Sequence, residues 1–294
     1  MAGSETTTPS PGWTVVQATT LAAHLPTGLS REVAIVVGTQ VIVYGGFAAT
    51  GSTTNAILAF DPSAGSISRI GALAVPVHDA AGVALGGASW IFGGGNTAVV
   101  SAVQRIDASA VGSVVGHLPA ARADLSAVSI GGSAFVIAGG ASGVLDRSVV
   151  ATEDGAHFRV VATLLHGVRY AAVAAVGGRI YVIGGVGSAG DRSDIQRVDP
   201  ATGKVDLVGQ MPAPISHASA IVRDGRILVI GGRSGGKPVD AIWVIAVDSG
   251  ATGLVGRLPR PLSDFAIADV AGTIYVIGGE TSTQVASIVS LVPQ

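Results

Sequence analysis

The sequence contains no cysteine and only two lysines, and charged residues make up just 12% of it. Soluble chains average about 25% charged residues. Without cysteine the chain can form no disulfide, no thiolate metal site and no cysteine nucleophile. A net charge of −2 without any basic run offers no electrostatic footprint for nucleic acid or for an anionic membrane surface. We therefore predict that nucleic acid is not a partner.

The scarcity of charge raises the mean hydropathy to +0.58, and residues 80–104 carry no charge at all. A membrane-spanning helix, however, needs about 20 mainly apolar residues without interruption. Six glycines punctuate residues 80–104, so we reject a spanning helix and predict no membrane insertion by this segment. Strands buried on both faces explain the hydropathy better, because they lose the polar half of the usual alternation.

What the sequence does contain is a repeat: a short apolar run closed by two glycines. The copies recur at intervals of 45 to 48 residues. Self-similarity at such a period indicates an array of one supersecondary unit. The six glycine pairs are Gly45-Gly46, Gly93-Gly94, Gly139-Gly140, Gly184-Gly185, Gly231-Gly232 and Gly278-Gly279.

Each copy has the same order of parts, which the fourth copy illustrates. An Ala/Val-rich run at 170–176 meets a glycine turn, and the run closed by the glycine pair comes next. A loop then leads to a segment ending in Asp199-Pro200, and a last run ends in Met211-Pro212. These runs are too short for helices and are bounded by turn-forming residues, so each copy reads as four strands. Four-stranded units repeated around an axis predict an all-β protein, a β-propeller.

The two ends of the chain predict how the ring closes. The sixth copy stops after its third strand, at about 285–291. The missing fourth strand is matched near the other end, at about 15–23, followed by His24-Leu25-Pro26. We predict a six-bladed β-propeller of four-stranded antiparallel blades, closed by the N-terminal strand that completes the last blade. Residues 13–294 form this single domain, and the Ser/Thr/Pro-rich residues 1–12 form a disordered linker or tail.

Glycine pairs after an apolar strand, a downstream acidic turn and Leu/Met-Pro before the next copy resemble kelch repeats over residues 13–294. The chain departs from that pattern because it lacks the usual tryptophan on the fourth strand. Aromatic residues are only 4% of the chain, so packing between blades is expected to depend on Val, Ile and Leu. The resemblance implies a propeller that binds a protein or carbohydrate ligand on the face that carries the loops.

Apparent catalytic motifs have a simpler explanation in the glycine-rich loops. Residues 185–190 match a dinucleotide fingerprint and residues 231–237 match most of a P-loop. The first motif requires a following helix, and the repeat leaves room only for a strand. The second has Pro238 where a Ser or Thr hydroxyl should bind magnesium. The six histidines show no pair at metal-ligand spacing. We therefore predict no catalytic residues, no metal and no cofactor.

A column of polar residues stands at the start of the innermost strands, in a chain that is mostly apolar. Five members lie fourteen residues before the first glycine of each pair. The third copy is read with one extra residue in its first turn, which places its member fifteen residues before. Strand order puts the column on the same face as the loops, around the axial channel. The members are Arg31, Asp79, Asp124, Tyr170, His217 and Asp264.

We predict that this column forms a ligand-binding mouth, together with Arg169, Arg233 and Glu280 nearby. Three carboxylates against one guanidinium in the column make the mouth mildly acidic, so a polyol, sugar or basic group is the expected ligand. Contacts are expected to favour the side of blades five and six. The alternative is a network of ion pairs between blades, with Arg31 held between Asp264 and Asp79.

These features predict a non-catalytic ligand- or protein-binding or sensing module that is a monomer. The N-terminal tail is of a kind that often comes after a signal peptide or an anchor, so it indicates the exported domain of a bacterial protein. An extracytoplasmic or secreted location is expected, although the sequence shows no signal peptide. Two alternatives stay open: a carbohydrate epimerase, mutarotase or lyase acting at the mouth of the channel, and a structural assembly domain.

Overall fold

The computed structural model describes residues 16–293, which consist of strands, turns and loops without any helix. The predicted all-β class is therefore confirmed. Within this part of the chain, no helix is long and apolar enough to cross a membrane. The predicted linker at residues 1–12 lies outside the described residues.

Thirty-two strands succeed one another along the described chain. In order, they are β1 (Val16–Ser30), β2 (Val33–Val37), β3 (Gln40–Tyr44), β4 (Phe47–Ala48), β5 (Ser52–Thr53), β6 (Ala56–Asp61), β7 (Ser66–Ala72), β8 (Ala81–Leu85), β9 (Ala88–Phe92), β10 (Ala102–Ile106), β11 (Gly112–His117), β12 (Ser126–Ile130), β13 (Ser133–Ile137), β14 (Gly140–Ala141), β15 (Val144–Leu145), β16 (Ser148–Thr152), β17 (Arg159–Thr163), β18 (Ala172–Val176), β19 (Arg179–Ile183), β20 (Val186–Gly187), β21 (Gly190–Asp191), β22 (Asp194–Val198), β23 (Val205–Gln210), β24 (Ser219–Arg223), β25 (Arg226–Ile230), β26 (Arg233–Ser234), β27 (Lys237–Pro238), β28 (Ala241–Ile245), β29 (Thr252–Arg257), β30 (Ala266–Val270), β31 (Thr273–Ile277) and β32 (Val285–Pro293).

The longer strands fall into six antiparallel groups of four. Four groups are separate sheets: group 1 (β2-β3-β6-β7), group 2 (β8-β9-β10-β11), group 3 (β12-β13-β16-β17) and group 4 (β18-β19-β22-β23). Group 5 (β24-β25-β28-β29) and group 6 (β30-β31-β32-β1) share a larger sheet, because β29 and β1 pair in parallel at Val16 and Gly256. Such four-stranded antiparallel sheets are consistent with a propeller.

The N-terminal strand pairs with the C-terminal one. β1 runs antiparallel to β32, from the pair Val16 and Pro293 to the pair Leu29 and Val285, with register shifts on either side of His24. At each shift β1 contains more residues than the facing part of β32, so its pairing with β32 is interrupted there. The strand extends to Ser30, well past the residues expected from the sequence, and delivers the chain directly to Arg31.

The loops after the glycine pairs hold more structure than the sequence predicts. In groups 1, 3, 4 and 5 each loop is a small two-stranded ribbon: β4/β5, β14/β15, β20/β21 and β26/β27. In groups 2 and 6 the loop contains only an isolated bridge, from Gly95 to Val99 and from Glu280 to Gln284. Groups 2 and 6 therefore carry loops of matching form.

The core consists of six apolar clusters, each packed between two neighbouring groups of the described chain. Aliphatic side chains dominate them, as expected from the low aromatic content. The few aromatic residues are not scattered, however. The middle position of the second strand is aromatic in four groups (Trp90, Phe135, Tyr181 and Tyr275), with Ile42 and Leu228 in the remaining two. Burying each such ring contributes about 1.5–3 kcal/mol.

The structure corrects the sequence alignment of the third copy. The first residue of each glycine pair adopts φ near +60°, and in group 3 that residue is Ala138, with φ 63°. Gly139 takes the place of the second glycine, because its N–H donates to the carbonyl of Val168, as that of Gly185 does to Ile215. No extra residue occurs in the first turn. Asp124 therefore lies fourteen residues before the pair, like the other members of the column.

Candidate functional site

The six column residues are joined by a closed ring of backbone hydrogen bonds. Each N–H donates to the carbonyl of the column residue of the preceding group, and the N···O distances are 2.7 to 3.1 Å. The first group closes the ring by donating to the sixth. The donor and acceptor pairs are Arg31 to Asp264, Asp79 to Arg31, Asp124 to Asp79, Tyr170 to Asp124, His217 to Tyr170 and Asp264 to His217.

All six ring residues adopt a left-handed backbone, with φ between 51° and 60°. This conformation is uncommon outside glycine, although Asp and His tolerate it better than most residues. It reverses the chain as it enters the innermost strand. As a result, N–H and C=O point along the ring to the two neighbours. The hydrogen bonds gained on both sides offset the backbone strain.

The residue before each ring residue adds a second tier of pairing. It forms a β-bridge with the first residue after the glycine pair, as in Ser263 with Glu280 and Ser216 with Arg233. This bridge fixes where the loop side chains start, at the rim of the ring. The identity of that first loop residue therefore decides what stands over the mouth. The residues at this position are Phe47, Gly95, Gly140, Val186, Arg233 and Glu280.

Groups 5, 6 and 1 fill their side of the mouth with ion pairs, and we call this the paired half. Arg31 contacts Glu280 at 3.0 Å and Asp79 at 3.4 Å. Arg233 contacts Asp264 at 3.3 Å and Glu280 at 3.8 Å. Arg31 was expected to lie between Asp264 and Asp79. The contact with Asp79 is found, but the expected contact with Asp264 is wrong. Glu280 takes that place because its loop lies above Arg31, while Asp264 pairs with Arg233.

Asp264 is the most deeply buried acid of the paired half, with 2% of its side chain exposed. Its carboxylate accepts a hydrogen bond from the Ser263 hydroxyl at 2.7 Å. His217 Nε2 lies 3.9 Å from the other carboxylate oxygen. Burial, together with Arg233 and Arg31, lowers the pKa of His217 to about 4, so the imidazole of His217 is neutral at pH 7. The neutral imidazole stacks on Tyr170, with centroids 3.9 Å apart.

Groups 2, 3 and 4 form the opposite side, which we call the open half. Burial raises the pKa of Asp79 well above its usual range, against the opposing effect of Arg31. Burial also raises the pKa of Asp124, although the Tyr170 hydroxyl and Arg169 favour its charged form. Arg169 lies 3.6 Å from Asp124 and has nearly half of its side chain exposed. Burial and the two nearby carboxylates raise the pKa of Tyr170, so its hydroxyl stays protonated.

A cavity of about 750 Å³ lies on the open half. Its floor is formed by Asp79, Asp124 and Tyr170, and its walls by the loops of groups 2, 3 and 4. Small residues come after the glycine pairs of groups 2 and 3, since Gly95 and Gly140 stand where the paired half has Arg233 and Glu280, while group 4 has Val186 in the cavity wall. The sequence analysis expected contacts over groups 5 and 6, whereas this cavity lies on the other side.

Below the ring the axial channel narrows to a space of about 160 Å³. All six ring residues line it, together with the residues that come after them in the inner strands. The structure thus places the whole predicted column around one opening. The three added residues divide between the halves: Arg233 and Glu280 belong to the paired half and Arg169 to the open half.

Several residues at the cavity were missed by the sequence analysis. Asn96, Thr97, Ser142 and Ser188 contribute loop polar groups to its wall, and His78 lies beside Asp79. The sequence did offer one signal for this cavity. Gly95 comes directly after Gly93-Gly94 and has no side chain to cover the mouth. No cluster of three or more metal-ligating side chains occurs among residues 16–293.

Comparison with known families agrees with this geometry. The model of the kelch motif matches residues 168–212. Residues 168–212 therefore carry a kelch motif. The matched kelch motif begins just before Arg169 and Tyr170 and spans all of group 4, so it includes one side of the cavity floor. No curated protein matches the chain.

Proposed function

We propose that the six groups form a six-bladed propeller whose ring is closed by β1, and that it acts as a non-catalytic binding module. The kelch motif supports a protein-binding propeller. The hydrogen-bonded ring of column residues and the pairing of β1 with β32 support six blades and closure. The location outside the cytoplasm, the bacterial origin and the monomeric state stay predictions from the sequence.

The open half of the mouth is the observation that carries the binding role. A cavity of 750 Å³ is within the size range of ligand sites, and it is concave and edged by polar loops. The ring itself is rigid, because each member is held by two backbone hydrogen bonds. A rigid floor under loops of varied sequence suits recognition, since little conformational freedom is lost when a ligand binds.

The charges at the floor favour a polar but uncharged ligand. Arg31 already contacts Asp79, and Arg169 already contacts Asp124, so a charged group would have to displace an existing partner. Hydroxyl and amide groups can hydrogen-bond to these pairs without displacing them. We therefore propose a polar segment of a protein partner as the ligand, with a neutral carbohydrate as the alternative outcome.

Two variants at matched loop positions test this proposal. Thr97 in group 2 and Ser282 in group 6 are both exposed and occupy the same place in loops of the same form. Thr97→Trp fills the entrance of the cavity, while Ser282→Trp places the same ring over the paired half. A panel of neutral peptides and oligosaccharides is screened by thermal shift, because a ligand that binds only the folded state raises the melting temperature.

We expect a hit whose effect disappears in Thr97→Trp and persists in Ser282→Trp. Equal loss in both variants, or a hit insensitive to Thr97→Trp, would rule out the open half as the site. Incubation of each carbohydrate hit with the protein, followed by NMR, separates a module from an enzyme. Conversion of the sugar would favour the epimerase or lyase alternative.

Ring closure has its own test. Deletion of residues 1–12 should leave the melting temperature unchanged, while deletion of residues 1–23 removes much of β1 and exposes an edge of β32. We expect the second deletion alone to lower the melting temperature strongly. Equal melting of the two truncated proteins would contradict closure by β1.

A further inference from the structure

A second cavity, of about 470 Å³, lies between groups 1 and 2 on the face opposite the mouth. The turns at Gly38 and Gly87 and the turn around Asp107 border it, which places it at the far ends of the strands. Its wall is mostly apolar and includes Ile42 and Ile57. Val37 and Ile70, at its edge, are 51% and 43% exposed. This cavity takes no part in the binding role proposed above.

The repeat explains why the space is there. Ile42 occupies the middle position of the second strand, where groups 2, 3, 4 and 6 carry aromatic residues. Those rings fill the wedge between their own group and the next: Trp90 packs in one cluster with Leu125 and Val136 of group 3. The Ile42 side chain leaves about 470 Å³ of this space unfilled, whereas Leu228 at the same position of group 5 leaves only about 30 Å³ beside it. The wedge between groups 1 and 2 thus has space for an aromatic side chain that group 1 does not supply.

The neighbouring wedge also shows how a ring is held by a polar contact. The Trp90 indole N–H donates to the carbonyl of Leu85, at 3.0 Å. The equivalent residue of group 1 is Val37, the last residue of the same innermost strand, and it lines the cavity. At the inner end, the Tyr44 hydroxyl donates to the Ser89 hydroxyl at 2.7 Å. An aromatic ring bearing one N–H or O–H group therefore meets both apolar walls and polar partners here.

We propose that this wedge binds a small aromatic molecule with a single hydrogen-bond donor, of the indole or phenol class. The molecule takes the place of the aromatic side chain that four other groups supply themselves. Enclosed apolar cavities in proteins bind small aromatic molecules, and this open cavity offers a ring the same kind of apolar wall. A volume of 470 Å³ accommodates one or two fused rings.

The test uses the full chain and indole itself, titrated by calorimetry or by ligand-observed NMR. We expect saturable binding at one site. Ile42→Trp restores the missing ring and should weaken indole binding at least about tenfold. The matched control is Leu228→Trp, the same repeat position in group 5, where the neighbouring space is only about 30 Å³. That variant should bind indole within about twofold of the unmodified protein.

Toluene tests the polar contact, since it has the ring without the donor, and it should bind more weakly than indole. If Ile42→Trp does not fold, Ile70→Arg at the exposed edge provides a second obstruction and should also weaken binding. No saturable binding of indole or phenol overturns the proposal. Equal binding by the Ile42→Trp protein, or binding confined to tryptophan-containing peptides, overturns it as well.

Discussion

The two halves of the mouth rest on the same hydrogen-bonded ring, yet they differ in what stands above it. In the paired half, Arg31, Arg233, Asp264 and Glu280 contact one another and leave little space. In the open half, Gly95 and Gly140 occupy the corresponding rim positions, and a large cavity results. The ring fixes where side chains begin, and a single residue per group decides whether the space is filled.

The comparison teaches that one polar column can serve two purposes. The paired half acts mainly as scaffold, because its buried charges satisfy one another across groups 5, 6 and 1. The open half keeps Tyr170 and Arg169 accessible beside a concave surface. The sequence analysis treated site and ion-pair network as alternatives, whereas the function proposed above gives one of these roles to each half.

The largest expected loss of stability comes from Asp264→Ala. The substitution leaves Arg233 without its buried partner and puts alanine at φ 58°. Removing one member of a buried pair costs about 3–5 kcal/mol. Asp264→Asn keeps a side chain that tolerates this backbone and should lose clearly less. Denaturant unfolding measures both, and equal losses for the two variants would show that the charge is unimportant.

The second largest effect is an increase in the free energy of unfolding, expected for Glu32→Gln beside the paired half. Glu32 is buried where other groups carry apolar residues such as Leu125 and Phe265. Among residues 16–293, no hydrogen-bond partner within ordinary distance satisfies its carboxyl oxygens, although backbone groups of Glu32 and Ala266 favour its charged form. Burial, with smaller effects from Asp264 and Glu280, raises its pKa from 4.5 to about 8.

The raised pKa of Glu32 sets the sign of the pH dependence. Below pH 4.5 the carboxyl is protonated in both states and has no effect. Between pH 4.5 and 8 only the unfolded chain ionises, so stability falls as pH rises. Glu32→Gln should therefore gain roughly 3 kcal/mol at pH 7 and nothing near pH 4. Unfolding free energies measured from pH 4 to 9 test this, and curves that run parallel for the two proteins would contradict it.

A smaller difference is expected between the matched loops of groups 2 and 6. Glu280→Ala removes the carboxylate that both Arg31 and Arg233 contact, which should cost about 2 kcal/mol. Gly95→Ala adds a methyl group 3.2 Å from the His78 ring, and its backbone does not require glycine. We expect its melting stability to change by less than about 1 kcal/mol. Comparable losses in both proteins would remove the distinction between the halves.

The smallest effect is expected for Arg169→Ala. Its ion pair with Asp124 spans 3.6 Å and is partly exposed, so it should contribute less than about 1 kcal/mol. Binding of any ligand found for the open half should nevertheless weaken, because Arg169 lines the cavity. Unfolding and binding titrations of the same variant separate the two effects. A large loss of stability without any change in binding would place Arg169 with the scaffold.

The sequence by itself determined the repeat, its four strands and the polar column, because these features depend on residues that are close together in the chain. Glycine pairs and Asp-Pro turns mark the ends of strands, and a polar residue at the start of the innermost strand recurs in each copy. The sequence alignment was nevertheless wrong by one residue in the third copy. Ala138 replaces a glycine there, and only its φ of 63° revealed the true alignment of Asp124.

Only the tertiary structure decided which column residues meet each other and which face open space. Arg31 and Glu280 are 249 residues apart in the chain and come together because β1 lies beside β32. Arg122, only two residues before Asp124 in the chain, lies buried against Asp146 at 2.7 Å. The burial of Glu32 and the two cavities likewise depend on how neighbouring groups pack. Such contacts form between residues that are far apart in the chain and meet only when the whole chain folds. The sequence of a single repeat therefore does not determine them.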